Sequence, residues 1–174
     1  MQPTLPEGMV NSICPWSFAS NVTAKAGVAA IDIGGKGGTS WAGVEVFRAR
    51  MEQDTLSEHL GMKFWDWGIP TAVSLIEADV GLPLIATGGM RDGVMMAKAM
   101  ALGASMNSVA LPLVAAARIS PLKVKEQLDL YIEELKATMF LTGSRSIEDI
   151  KRVPVIISGK TKDTLEARGF NWRS

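Results

Sequence analysis

Residues 82–103 constrain the fold more than any other stretch. Leu82-Pro83-Leu84-Ile85-Ala86 is a short apolar run that leads through Thr87 into Gly88-Gly89-Met90-Arg91-Asp92-Gly93. A helix-forming segment follows and Gly103 closes it. An apolar run without alternation suits a strand covered on both faces, the habit of parallel sheets. Two glycines remove side chains where a backbone must turn sharply or let a ligand come close. Asp92 is placed to cap a helix that begins near Gly93. Such a turn offers bare N–H groups, the positive end of a helix dipole and a guanidinium that forks onto phosphate oxygens. A phosphate grip at Gly88, Gly89 and Arg91 is therefore expected. The alternative is an ordinary turn between strand and helix with a solvated arginine.

The same punctuation recurs along the chain. Residues 9–13, 28–33 and 105–110 read as further short strands. Helices are expected from Ser20 or Asn21 through Ala26, and over 42–50, 69–80 with Pro70 near the first turn, 93–102, 112–118, 122–140 and 162–168, with a capped short helix at Ser146-Ile147-Glu148-Asp149. Residues 53–61 are polar and read as a mobile loop, 153–157 as a short extended piece, and 1–8, with two prolines, as a loose lead-in. Met95, Met96 and Met100 read as packing residues. On the longest helix Val124, Leu128, Tyr131, Ile132, Leu135 and Met139 form the apolar face, with Lys123, Glu126, Asp129, Glu133 and Glu134 on the solvated one. Alternating strands and helices imply an α/β fold with a parallel sheet. About four βα units plus a helical extension over 121–174 amount to half of a (β/α)8 barrel, which takes about 250 residues.

Four glycines in the five positions 34–38 form a second backbone-exposing loop at the end of a strand. It has neither the P-loop order nor the dinucleotide fingerprint. Trp41 beside it argues for packing rather than a free surface loop. At 174 residues the chain is long enough for one domain with a real core. Lysine and arginine balance aspartate and glutamate at 18 each, which argues against an electrostatic nucleic-acid binder. No segment is long and apolar enough to span a bilayer, and nothing at the start resembles a signal peptide, so a cytoplasmic setting without membrane partners is expected. Cys14 is the single cysteine, which leaves no internal disulfide and no thiolate metal cage. His59 is the single histidine, lies in the polar stretch and reads as a surface residue rather than a general base.

The motif Ala30-Ile31-Asp32-Ile33-Gly34-Gly35-Lys36-Gly37-Gly38-Thr39-Ser40-Trp41, with Glu45 and Arg48 after it, resembles the type 2 isopentenyl-diphosphate isomerase family. So do Asp66-Trp67-Gly68-Ile69-Pro70-Thr71, the turn Gly88-Gly89-Met90-Arg91-Asp92-Gly93 and residues 137–143. The resemblance covers roughly 27–170 and rests on the order and spacing of these motifs together. It implies a (β/α)8 barrel that binds FMN and interconverts isopentenyl and dimethylallyl diphosphate with Mg²⁺, NADPH or another reductant keeping the flavin reduced. This chain is similar to the carboxyl-terminal half of that barrel. By the resemblance Gly88, Gly89, Arg91, Ala110 and Leu111 hold the flavin phosphate, Thr39 contacts the flavin, and Trp41 and Glu45 stand near flavin and substrate, Glu45 as a candidate proton relay.

The departures from the family pattern are specific. The flavin-contacting lysine at the end of the first strand of this half is missing, because the first basic residue is Lys25. Ser108 stands where the last strand usually carries glycine. The family's basic residues for diphosphate, its histidine-asparagine segment and the glutamine-glutamate pair serving Mg²⁺ belong to the amino-terminal half, so no metal ligands are expected here. Two roles follow: a truncated or split isomerase partnered by that half, or a non-catalytic FMN- or phosphate-binding half barrel that self-associates.

Overall fold

The computed structural model describes residues 16–170, with side chains from residue 19 onward. The expected strand at 9–13, Cys14 and the lead-in lie outside the described residues. The order is α1 (Trp16–Lys25), β1 (Ile31–Asp32), α2 (Trp41–Glu52), α3 (Thr55–Lys63), α4 (Thr71–Glu77), β2 (Leu84–Ala86), α5 (Gly93–Ala101), β3 (Met106–Asn107), α6 (Leu111–Ala117), α7 (Pro121–Leu141), α8 (Ile147–Ile150) and α9 (Gly159–Ala167). Among the described residues the sheet has three strands in the order β1-β2-β3, all parallel. Ile31 pairs with Leu84, and Ile85 with Met106.

The strands are shorter than their apolar runs. Of 28–33 only Ile31 and Asp32 are strand, although the Ile31 amide donates to the Pro83 carbonyl and the Ile33 amide to the Ile85 carbonyl. Of 105–110 only Met106 and Asn107 are strand. Both outer strands have a partner on one side only, so less of each run is held in a ladder. The central strand is the best covered, with Leu84 and Ala86 fully buried. They join Ile31, Ile33, Leu75, Met90, Met96 and Tyr131 in the main core cluster.

Local rules explain most helix starts. Asp92 caps α5, its side chain accepting the Met95 amide at 2.6 Å. Ser40 caps α2 by accepting the Gly43 amide. Ser146 and Asp149 form the reciprocal capping box of α8, as the sequence predicts.

Three expectations need correction. Residues 53–61 are not a loop: α3 occupies most of them, because Asp54 accepts the amides of Leu56 and Ser57 and the Ser57 hydroxyl. The loop reading weighed polarity and overlooked that cap. The helix expected from Ser20 or Asn21 already runs from Trp16, so neither residue is its cap. Met96 and Met100 are buried, but Met95 lies on the outer face of α5.

The apolar face of α7 is also only partly used. Tyr131 is its one fully buried residue, Leu135 and Met139 are half-buried, and Leu128 and Ile132 are exposed. A 21-residue helix, about 32 Å at 1.5 Å per residue, outruns the three short strands beneath it. Glu134, expected on the solvated face, is half-buried and its carboxylate accepts the Gly93 amide.

The tail packs back on the sheet layer rather than trailing from it. α7 lies against α5 and α6, α8 against α5, and α9 against α4. Leu165 of α9 is buried with Val73 and Ile76 of α4. Beside them the fully buried Glu77 receives Arg168 in a two-pronged ion pair, Nε to Oε1 and Nη2 to Oε2 at 2.9 Å. Removing one partner of a buried pair strands the other in a medium that cannot solvate it, so Glu77→Ala should cost about 3–5 kcal/mol in urea unfolding. At α3, hydrogen bonds from the Ser57 hydroxyl and amide hold the Asp54 carboxyl below its ordinary value. A depressed folded value means stabilisation above the unfolded value that is lost as pH falls through the folded one. Asp54→Ala should therefore lower the urea midpoint at about pH 7, and the gap to wild type should close towards about pH 2.

Candidate functional site

The loops that follow β1, β2 and β3 meet on one side of the sheet and, with residues 64–69, line a cavity of about 990 Å³. This is the carboxyl end of the parallel strands, where α/β sheets bind ligands. The volume lies at the upper end of the roughly 300–1,000 Å³ found for small-molecule sites.

The two glycine turns are locked to each other. The Gly35 amide donates to the Thr87 carbonyl at 2.9 Å, and the Thr71 hydroxyl donates to the Gly88 carbonyl at 2.6 Å. Asp32, at the end of β1, accepts the Gly34 amide on one oxygen and the Thr87 hydroxyl at 2.9 Å on the other. A Cβ on Gly88 would run into the Gly35 carbonyl, and one on Gly37 or Gly89 into the facing turn's backbone. Gly88 and Gly89 also sit at φ +105° and +88°, which L side chains rarely adopt. Gly88 and Gly89 thus serve the sharp turn that the sequence allows for beside ligand approach. In the structure their missing side chains make room for the other turn.

Lys36 fastens the outer edge of the glycine loop. Its Nζ donates to the Asp66 carbonyl at 2.6 Å and pairs with the Asp66 carboxylate at 3.0 Å. Its backbone pairs with Ile69 and Thr71 on either side of Pro70.

Arg91 stands on the cavity wall. Its Nη1 donates weakly to the Met90 carbonyl at 3.4 Å, and among the described residues it has no carboxylate partner. A Cβ on Gly38 would come within 2.6 Å of its Nη2, so the guanidinium lies directly over the first glycine loop. Thr39, Trp41, Gly88, Gly89, Ala110 and Leu111 line the same cavity. Thr39 does not cap α2; Ser40 does, which leaves the Thr39 side chain outside the cap. Trp41 is 80% exposed and gives the mouth a broad aromatic face. Ala110 precedes α6 without any side-chain cap.

Glu45 is the exception. It lies outside the cavity on the exposed face of α2, where both carboxylate oxygens accept from Arg48 Nη1 at 3.0 and 3.2 Å. Phe64 is a wall residue the sequence does not single out, and Trp67, against which it packs edge to face at 5.6 Å, and Asp32 and Thr87 stand in quoted motifs without an expected role. The Asp32 position, a carboxylate at a strand end just before a glycine loop, was the available signal. Trp67 carries the signal of its motif, whereas Phe64 carries none, because it follows a helix, α3, that polarity disguises as loop.

The residues present fit a flavin mononucleotide. Arg91 supplies a cation for the phosphate, and Trp41, Phe64, Trp67, Ile69 and Val114 supply an apolar lining for a planar ring. Among the described residues no group of three histidine, cysteine, aspartate or glutamate side chains is gathered as a metal site. No helix among them is long and apolar enough to cross a membrane.

A family model described as FMN-dependent dehydrogenase matches residues 23–156. The isopentenyl-diphosphate delta-isomerase of Methanosarcina mazei is 56% identical over 147 residues, covering 84% of this chain and 40% of that protein. That of Thermococcus onnurineus is 52% identical, covering 82% and 38%. The chain thus spans about two fifths of the length of these relatives. Among solved structures, GMP reductase from Trypanosoma brucei superposes with a TM-score of 0.59 at 21% identity, over 84% of this chain and 32% of that one, a likeness of fold. The matched span and the level of identity agree with the motifs: the chain belongs to the FMN-dependent dehydrogenase family, alongside the type 2 isopentenyl-diphosphate isomerases.

Proposed function

We propose that this chain is the carboxyl-terminal half of a (β/α)8 barrel, and that it binds FMN for the isomerisation of isopentenyl to dimethylallyl diphosphate. The observation that carries this reading is Arg91 standing over interlocked glycine turns in a cavity whose wall also carries Trp41, Phe64, Trp67, Ile69 and Val114. A ligand with a phosphate at one end and a flat apolar body matches that distribution. The name shared by the relatives supplies the reaction.

Reduced FMN, when bound, supplies the proton-transfer chemistry that these side chains do not. Arg91 and the backbone of Gly88 and Gly89 hold its phosphate, with the chain at Ala110 and Leu111 closing the other side. The Thr39 hydroxyl offers one donor and two acceptor sites to the flavin. Trp41 covers the mouth and excludes water. Glu45 would serve as a proton relay only if α2 turned its carboxylate from Arg48 towards the mouth, since in the structure it lies outside the cavity.

In this reading NADPH or another reductant keeps the flavin reduced. Mg²⁺ and the basic groups for the diphosphate come with an amino-terminal half, against the open edges of β1 and β3. The setting is cytoplasmic. One observation favours the alternative of a non-catalytic, self-associating half barrel: Met106 on the open edge strand and Leu111, Val114 and Ile119 beyond it are all more than half exposed.

Arg91→Ala should weaken FMN binding by about 1.5–3 kcal/mol in a fluorescence titration, the worth of a charge-assisted contact. Equal affinity in the two proteins would remove the phosphate assignment. In an isomerase assay with reduced FMN and Mg²⁺, the chain alone should turn over far more slowly than with the amino-terminal half added in trans. Robust turnover by the chain alone would sink the split-barrel reading. No gain on adding the other half would leave the non-catalytic alternative standing.

A further inference from the structure

Glu134 sits on α7, far along the chain from the cavity, yet its Oε2 accepts the Gly93 amide at 2.7 Å. Gly93 opens α5 immediately after the Arg91 turn. A Cβ there would meet Glu134 Cβ at 2.6 Å and the Tyr131 carbonyl and Leu135 amide closer still. The two helices therefore touch backbone to backbone at this point, and only glycine permits it. One turn earlier on α7, the buried Tyr131 shares the core cluster of Met90. Met90 and Gly93 flank Arg91 and Asp92, so α7 contributes to the anchoring of both sides of the arginine.

The charges are arranged to match. At the amino end of α5 the Met95 amide is taken by Asp92 and the Gly93 amide by Glu134. Two carboxylates already answer the positive end of that helix. An anion in the cavity gains little from α5, and of the two cations on the wall Lys36 is already paired with Asp66, which leaves Arg91.

We propose that Glu134 is a positioning residue: by holding Gly93 it fixes the backbone from which Arg91 reaches a ligand phosphate. This rests on the reading of a phosphate at Arg91. It also makes α7 part of the site rather than a mere extension.

The test compares FMN with riboflavin, which lacks the phosphate, by fluorescence titration of the full chain. Glu134→Ala should lower FMN affinity about tenfold, the loss of one hydrogen bond to a charged group, with riboflavin affinity unchanged. Glu134→Gln keeps an acceptor for Gly93 and should keep the FMN preference. Glu134→Asp, one methylene shorter, should lose part of it, and serves if the alanine variant does not fold. A merely structural role would lower both ligands together. A wild-type preference for FMN that survives in both Glu134→Ala and Glu134→Asp overturns the positioning role alone. A Glu134→Gln protein that loses the preference also overturns it, because charge and not the held amide would then matter. A wild-type chain that binds FMN no better than riboflavin overturns the phosphate reading, and this proposal with it.

Discussion

The contact between the two glycine turns is the constraint on which the rest of the site depends. Two parallel strands end side by side, and both following loops must leave through the same space. With a side chain at Gly37, Gly88 or Gly89, one backbone would be pushed off the other. With glycine, the turns interlock and their polar groups pair, Gly35 with Thr87 and Thr71 with Gly88. Buried backbone groups are costly when unpaired, so this pairing is what lets two irregular loops form a firm floor. Asp32 adds a tie between the strand ends by serving both loops at once.

From that floor the remaining elements take their places. Arg91 leaves the second turn and lies over the first. Lys36 leaves the first turn and anchors to Asp66, which brings the Phe64 and Trp67 pair to the wall. The segment between β1 and β2 is long because it carries two extra helices, α2 and α3, whose junction with α4 delivers these aromatics. The charged and apolar parts of the cavity therefore come from loops far apart in sequence that converge at one end of a sheet, the common arrangement in α/β enzymes.

The other end of the molecule is held differently. The α4–α9 contact combines a small apolar cluster with the buried Glu77–Arg168 pair. A buried pair of this kind does more to select one docking geometry than to add net stability. Among the described residues β1 and β3 each pair on one side only, in contrast, and Met106 on β3 is exposed. Under the half-barrel proposal that asymmetry has a simple meaning: three parallel strands would be one segment of a larger closed sheet.

The sequence by itself determined the alternation of strands and helices, the parallel sheet, the Asp92 and Ser146 caps and the cavity residues Thr39, Trp41, Gly88, Gly89, Arg91, Ala110 and Leu111. Those features depend on local chemistry or on motifs whose order is readable along the chain. The tertiary structure decided what Glu45 and Glu134 do, and it decided them oppositely. Both are helix-surface glutamates by periodicity. Glu45 falls on a face that meets only Arg48 and solvent, whereas Glu134 falls where a glycine lets another helix come to backbone distance. It also decided what the glycines are for, because a missing side chain is visible in a sequence but the atom that fills its place is not. Helix α3 lay between these cases: the Asp54 cap was written in the sequence, and its polar exterior concealed it. Periodicity records which way a side chain leaves its own element. Which neighbour it meets depends on where the chain has folded, and that is settled only when the strands align and the loops at their ends compete for the same space.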